Sequence, residues 1–355
     1  MKNTVYEYFP GSNTPKGFYS YYDYIMEKNE SKRVIILKGG PGTGKSTFMK
    51  RVAKYFDKKG YETQMLHCSS DPDSLDGVCI RECGFLILDG TSPHVVDPKF
   101  PGAVDEIINL GQCWDREKIT KKKDEIMNLG KVISGNFVKA YDYLAAAKNI
   151  SNRIDRELTY ELPRSIVNEH EQRIKKDFDL KIQSEGKRAV RRAFLSAFTS
   201  QGRINYIDTY AKNASQIYEI ETDFGIDNYV FLKNVATYFS DTGYDVDCFY
   251  CPMSPDVKIE HLYIPQLKVF FTTKNKYHSL SKVEPTHQID FRNNEVTDAS
   301  VNIYDDMEIY NILLGKACTM LSRAKKLHDE LEQKYIPYMD FGKVEQLCNS
   351  LIESL

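Results

Sequence analysis

The hydrophobic positions of this chain follow two patterns that alternate along its length. Short apolar runs rich in β-branched residues, such as Val34–Leu37 and Phe85–Leu88, predict buried strands. Between these runs, apolar residues recur at helical spacing, as at Phe48, Val52, Tyr55 and Phe56, which predicts an amphipathic helix. Strands that alternate with such helices indicate an α/β fold with a mostly parallel sheet.

A glycine-rich segment follows the first of these strands and precedes the helix. Residues 39–46 read Gly-Gly-Pro-Gly-Thr-Gly-Lys-Ser and match G-x-x-x-x-G-K-[ST] at every position. Successive backbone N–H groups of such a loop surround phosphate oxygens, and the positive end of the following helix points at them. The segment therefore predicts a nucleoside-triphosphate site of the P-loop (Walker A) type. The residues predicted to bind the nucleotide are Gly39, Gly40, Pro41, Gly42, Thr43, Gly44, Lys45, Ser46 and Thr47.

Three side chains are candidates for the chemistry of phosphoryl transfer. Lys45 is expected to reach the β- and γ-phosphates, and the hydroxyl of Ser46 is expected to bind Mg²⁺. Asp89 directly follows a predicted strand, which is the usual place of the second magnesium anchor. We therefore predict a magnesium site made by Ser46 and Asp89, with Lys45 and Asp89 as catalytic residues.

Two further segments carry polar residues near the same predicted sheet edge. Gly90 stands where many ATPases have a water-orienting glutamate, so His94 and Asp97 are candidates for that polar group, and His94 is the third candidate catalytic residue. A turn rich in Pro and Ser explains both residues equally well. Asp71 and Asp76 follow the second predicted strand, where a P-loop kinase holds its acceptor hydroxyl, and they are candidate substrate residues.

Much of the first half of the sequence reappears in the second half. Taking Phe48 onto Phe231 aligns a long series of identical residues. Lys50, Val52, Ala53, Tyr55, Phe56, Gly60 and Tyr61 match Lys233, Val235, Ala236, Tyr238, Phe239, Gly243 and Tyr244. After each core the pattern becomes helical and highly charged. The sequence thus predicts two tandem P-loop NTPase-like three-layer domains, residues 1–185 and 186–355, each with a mostly parallel sheet flanked by helices and a helical appendage.

The second copy lacks the residues that make a triphosphate site. The same alignment replaces Lys45 by Asn228, Ser46 by Tyr229, Asp71 by Ser254, Asp76 by Ile259 and Asp89 by Thr272. Without the lysine and the hydroxyl, and with Asp223 and Asp227 in the loop, triphosphate binding there should be repelled. We interpret the second copy as a degenerate or repurposed pseudo-site.

Four arginines open the second copy and allow two interpretations; they are Arg188, Arg191, Arg192 and Arg203. If the two halves pack face to face, one of them would reach the γ-phosphate of the first copy as an arginine finger in cis. Alternatively, they form a basic helix whose charged face is solvated.

Composition and charge narrow the range of functions that are compatible with the sequence. The 355 residues include 48 Lys and Arg against 50 Asp and Glu, so no net field draws the protein to nucleic acid or to an acidic membrane. The longest apolar runs fall far short of the roughly 20 residues of a membrane helix, and the polar N-terminal residues do not resemble a signal peptide. Eight scattered cysteines are typical of free thiols in a reducing compartment. We expect a cytoplasmic protein with no membrane contact and no nucleic-acid partner.

The motifs together resemble a family of bacterial tandem P-loop NTPases or ATP-binding proteins. The resemblance rests on the P-loop, on residues 68–77 and on residues 88–98, and it covers essentially the whole chain. It implies ATP rather than GTP as the nucleotide, with Mg²⁺, and it leaves the other substrate open. If other members carry a P-loop in both halves, this chain differs from them. The resemblance therefore does not imply a mechanism with two nucleotide sites.

Three functions are compatible with these patterns. The first is a Mg²⁺-dependent ATPase, a hydrolase with one site in the N-terminal half. The second is a kinase that passes the γ-phosphate to a nucleotide or another small molecule near Asp71 and Asp76. The third is an ATP-gated module that binds a small-molecule or protein partner with negligible turnover.

Overall fold

The computed structural model describes residues 4–26, 30–92, 95–157, 162–179, 188–223, 228–292 and 300–355. The strands of the first half are β1 (Val5–Tyr8), β2 (Gly11–Thr14), β3 (Gly17–Ser20), β4 (Arg33–Lys38), β5 (Thr63–His67), β6 (Leu75–Ile80), β7 (Phe85–Asp89) and β8 (Asp105–Asn109). Strands β2 and β3 form a separate hairpin, and the other six make one sheet in the order β1-β5-β6-β7-β4-β8. Strand β6 is antiparallel to both its neighbours, and the remaining pairs are parallel.

The second half repeats this arrangement. Its strands are β9 (Val190–Ala193), β10 (Ser196–Thr199), β11 (Gly202–Asn205), β12 (Gln216–Glu221), β13 (Val246–Tyr250), β14 (Ile259–Ile264), β15 (Val269–Lys274) and β16 (His287–Asp290). Strands β10 and β11 form the hairpin, and the sheet order β16-β12-β15-β14-β13-β9 is that of the first sheet, read from the other edge. The predicted α/β class, with a duplicated and mostly parallel six-stranded sheet, is confirmed.

Helices cover the sheets and connect the two halves. They are α1 (Lys45–Lys58), α2 (Arg116–Thr120), α3 (Lys123–Glu157), α4 (Arg164–Phe178), α5 (Ile207–Ala211), α6 (Tyr229–Asp241), α7 (Ser300–Glu332) and α8 (Phe341–Glu353). Helix α1 buries Phe48, Val52 and Phe56 against the first sheet, as the helical spacing predicts. None of the helices in the described ranges is long and apolar enough to cross a membrane.

The helical segment that follows each sheet crosses to the other half. Helices α3 and α7 lie antiparallel, since Glu125 pairs with Lys334 near one end and Arg153 with Asp306 near the other. Beyond this pair, α4 packs on α6 of the second half, and α8 packs on α1 of the first. The two halves have therefore exchanged their last helices, an arrangement that the repeat pattern did not predict.

The two sheets also meet directly. Backbone N–H and carbonyl groups of Phe9 and Phe194 pair across the junction. Beside them lies a buried ion cluster, in which Asp247 accepts from Arg81 at 2.7 Å and from Arg191 at 3.3 Å. Arg191 belongs to strand β9 and also contacts Glu30, so the expected basic helix is wrong at this position, and its guanidinium is engaged in the interface between the halves.

Candidate functional site

Residues 39–46, which comprise the loop between β4 and α1 and the first two residues of α1, are called the glycine loop below. Gly42 and Gly44 have φ angles of +69° and +87°, in the left-handed region that favours glycine. Gly44 precedes the first residue of α1 and offers no side-chain cap, so the first N–H groups of the helix face the loop. Helix N-termini of this kind bind anions because the unpaired N–H groups and the helix dipole both favour negative charge.

Lys45 and Asp89 lie together at this loop. The Nζ of Lys45 donates hydrogen bonds to the carbonyl oxygens of Gly39 at 2.8 Å and Gly40 at 2.9 Å, and it lies 3.6 Å from Oδ2 of Asp89. Both side chains are largely buried, at 12% and 15% exposed. The other carboxylate oxygen of Asp89 accepts from the backbone N–H of Thr91 at 2.8 Å. Two sequence-predicted catalytic residues are thus in direct contact.

Ser46 lies one residue into helix α1, next to the start of β6. Its Oγ accepts a hydrogen bond from the backbone N–H of Leu75 at 3.1 Å. Thr43 donates its hydroxyl to the carbonyl of Gly40 at 2.9 Å, which closes the loop on itself. The hydroxyl of Ser46 and the carboxylate of Asp89 are both hard oxygen groups, the type that Mg²⁺ prefers.

The predicted substrate residues lie in different environments. Asp71 accepts from the hydroxyl of Ser74 at 2.8 Å and lies 3.5 Å from Nζ of Lys325 on helix α7. Burial lowers the pKa of Lys325, but the carboxylates of Asp329 and Asp71 outweigh it and hold the pKa above its ordinary value. Asp71 is therefore in contact with the tail of the second half.

Asp76 lies inside strand β6 rather than in a loop after a strand. Its side chain is buried and accepts a hydrogen bond from the hydroxyl of Tyr22 at 3.0 Å. Asp76 does follow β5, as predicted, but residues 75–77 already belong to the next strand, which pairs with β5 and β7. The third predicted catalytic residue, His94, lies outside the described residues.

The strand register also corrects the alignment of the two copies by one residue. In the first sheet Leu37 lies opposite Asp89, and in the second sheet the equivalent Ile220 lies opposite Thr273. Asp89 therefore corresponds to Thr273 rather than to Thr272. By the same register Asp76 corresponds to Glu260 rather than to Ile259. A single extra residue before β14 produces this shift, which an alignment of constant offset cannot follow.

The structure places a carboxylate from the far end of the chain on the glycine loop. Glu332, the last residue of α7, accepts a hydrogen bond from the backbone N–H of Gly42 at 3.2 Å. The Nδ1 of His328, one turn earlier, lies 3.8 Å from the same carboxylate oxygen. Sequence reasoning missed both residues, because they lie about 290 positions from the loop and belong to no local motif.

Apolar and aromatic side chains cover the rest of the loop. A Cβ built on Gly42 would lie 2.8 Å from a side-chain carbon of Ile336, and one on Gly40 would lie 3.2 Å from Trp114. The rings of Trp114 and Tyr335 are 5.8 Å apart. Residues 333–340, which we call the cover segment, therefore pack directly on the glycine loop.

In the second half, a neutral pair takes the positions of Lys45 and Asp89. The amide of Asn228 donates to the hydroxyl of Thr273 at 3.0 Å, and both residues are buried. Residues 224–227, which complete this loop, lie outside the described residues. Nearby is a cavity of about 280 Å³, lined by Arg203 of the hairpin and Lys148 of α3, among others.

A buried polar cluster borders this cavity. A guanidinium nitrogen of Arg203 lies 2.7 Å from Nε2 of His278, and the same Nε2 lies 3.2 Å from a carboxylate oxygen of Glu260. Burial raises the pKa of Glu260, but the charge and hydrogen bond of His278 and the charge of Arg203 outweigh it and hold the pKa below its usual range. Burial and the charge of His278 lower the pKa of His261 to about 3. Although Glu260, His261 and His278 lie close enough to share a metal ion, the guanidinium on His278 disfavours a second cation there.

No protein-family model, curated protein or solved structure matches this chain.

Proposed function

We propose that this protein is a tandem P-loop NTPase that binds ATP with Mg²⁺ and hydrolyses it at a single site, the glycine loop of its first half. The observation that carries the proposal is the contact between Lys45 and Asp89 at the N-terminus of α1, where the left-handed glycines leave backbone N–H groups facing the loop. A cation and a carboxylate at the ends of adjacent elements are the pair that this chemistry requires.

The residues of the loop have separate tasks in this proposal. The backbone N–H groups hold phosphate oxygens, and Lys45 exchanges the carbonyl oxygens of Gly39 and Gly40 for the β- and γ-phosphates. Ser46 and Asp89 hold Mg²⁺, which neutralises negative charge on the phosphates during transfer. Since Lys45 already lies near Asp89, little movement is needed to bring both groups to one ligand.

Two alternatives differ in what happens to the γ-phosphate. A kinase would use Asp71, whose position facing Lys325 of α7 favours an acceptor between loop and helix, whereas the buried Asp76 is poorly placed for it. An ATP-gated binding module without turnover is favoured by Gly90, which supplies no water-orienting carboxylate after Asp89, and by the cover segment over the loop.

Isothermal titration with a non-hydrolysable ATP analogue and Mg²⁺ tests the proposal. We expect one site per chain, lost in Lys45→Ala and retained in Lys50→Ala, a matched lysine on the exposed part of α1. Two sites, or a site that survives Lys45→Ala, would contradict it. Release of inorganic phosphate from ATP would then favour the ATPase over the ATP-gated binding module. Stimulation of ADP formation by one compound of a metabolite panel would identify a kinase.

A further inference from the structure

The carboxylate of Glu332 lies where an anion would bind the glycine loop. It accepts the N–H of Gly42 at 3.2 Å, and its side chain is 34% exposed. A carboxylate at the C-terminal end of a helix is disfavoured by the helix dipole, whereas the N-terminal end of α1 favours negative charge. The position of Glu332 is therefore electrostatically costly within α7 and is compensated by the loop.

We propose that Glu332 is a built-in anionic occupant of the glycine loop, so that the nucleotide must displace it in order to bind. This inference rests on the proposed function, since it assumes that the loop receives phosphates. A phosphate oxygen and the Glu332 carboxylate compete for the same Gly42 N–H, and two anions at this distance repel each other. Nucleotide-free protein is therefore a self-inhibited state.

The contacts around Glu332 define which part of the chain moves. Backbone hydrogen bonds join Asp115 to Tyr338 at 2.8 Å and Asp340 to Cys113 at 2.7 Å, so the C-terminal end of the cover segment is attached to the first half. Helix α8 beyond it is anchored in the first core through Leu351, among other residues. Displacement is thus confined to the end of α7 and to the part of the cover segment before Tyr338, while α8 stays in place.

Helix α7 also reaches the second half. Tyr310 of the same helix lines the second-half cavity, and it lies 22 residues, or about 33 Å of helix, before Glu332. Along this length α7 packs against α3.

The test compares Glu332→Ala with Glu330→Ala, an exposed glutamate on the same helix. We expect Glu332→Ala to bind the Mg²⁺ complex of the non-hydrolysable ATP analogue about tenfold more tightly than the unmodified protein, because a charged hydrogen-bonded competitor is removed. Glu330→Ala should bind as the unmodified protein does. Equal or weaker binding by Glu332→Ala overturns the inference, and so does lost turnover at unchanged affinity, which would assign Glu332 to the reaction itself.

Hydrogen exchange without nucleotide separates this inference from the proposed function. Backbone amides of residues 39–46 should exchange faster in Glu332→Ala than in the unmodified protein or in Glu330→Ala, because the Gly42 N–H has lost its acceptor. Faster exchange without binding of the ATP analogue to any variant would overturn the proposed function and leave Glu332 as an occupant of the loop. If the analogue binds, and Glu332→Ala changes neither hydrogen exchange nor affinity, the inference about Glu332 is overturned and the proposed function is not.

Discussion

The Nζ of Lys45 lies 3.6 Å from Oδ2 of Asp89, between the start of α1 and the end of β7. The same two positions of the second half hold Asn228 and Thr273, which form a neutral hydrogen bond at 3.0 Å. The duplicated fold therefore keeps a contact between helix start and strand end in both halves. Only in the first half does that contact carry the charges that phosphoryl transfer needs.

If Asp89 anchors Mg²⁺, removal of its charge will weaken binding that depends on the metal. We expect Asp89→Asn to bind the ATP analogue about tenfold more weakly in the presence of Mg²⁺ and to lose most of the dependence on Mg²⁺ concentration. Asp124→Asn, in which an exposed carboxylate at the start of α3 is changed, is the matched control. Titrations at several Mg²⁺ concentrations measure this, and an unaltered metal dependence in Asp89→Asn would remove Asp89 from the site.

Asn228 should contribute to the stability of the fold and not to nucleotide binding. Asn228→Ala removes the donor to Thr273 in a buried position, which should lower the free energy of unfolding by about 1–3 kcal/mol. Urea unfolding measures the loss, and titration with the ATP analogue should still give one site per chain. Loss of nucleotide binding in this variant would mean that the second half contributes to the site.

The exchanged helices predict that a residue near the C-terminus stabilises the N-terminal half. Leu351 of α8 is buried in the core formed by α1 and the first sheet, so Leu351→Ala should cost about 2–5 kcal/mol. Hydrogen exchange should become faster in β4 and α1 than in β12 and α6. The exposed Glu353→Ala is the control, and equal acceleration in both halves would mean that they unfold as one unit.

A buried and an exposed ion-pair site between the halves should contribute very differently to the free energy of unfolding. Asp247 is buried and is contacted by Arg81 and Arg191, so Asp247→Ala removes the carboxylate that contacts the largely buried guanidinium of Arg81 and should cost about 3–5 kcal/mol. Asp256 pairs with Lys16 at the surface, and Asp256→Ala should cost less than about 1 kcal/mol. Urea unfolding of both variants decides this, and similar losses would contradict the difference in burial.

Mild acid should destabilise the protein through His261. Burial and the charge of His278 lower the pKa of His261 to about 3, whereas the ordinary value is 6.5. Between these values the unfolded chain binds a proton that the folded chain does not. The free energy of unfolding should therefore fall as the pH falls from 6.5 towards 3, by up to about 1.4 kcal/mol per pH unit.

Urea unfolding at about pH 7 and about pH 5 measures this dependence. His261→Asn should show a smaller loss between the two pH values, because the group that titrates in the unfolded chain is gone. The neighbouring Glu260 has a pKa below its usual range, so its contribution is lost only at lower pH. An identical pH dependence in His261→Asn would contradict the assignment.

Local patterns in the sequence determined the elements that carry the candidate site. The apolar run before residue 39, the glycines and the helical spacing of Phe48, Val52 and Phe56 predicted the strand, loop and helix that the structure contains. The same reasoning placed Lys45 and Asp89 in one candidate site, and the structure brings them into contact at the ends of the neighbouring parallel strands β4 and β7. The repeat predicted the duplicated sheet.

Only the tertiary structure decided how these parts are completed. The one-residue shift that makes Asp76 equivalent to Glu260 depends on pairing between strands. The exchange of α4 and α8 depends on packing between the halves. The contact of Glu332 with Gly42 joins residues about 290 positions apart in the sequence. Propensity and periodicity are set by residues that are neighbours along the chain. A contact between distant residues is instead set by which hydrophobic faces bury each other, and that is a property of the whole fold.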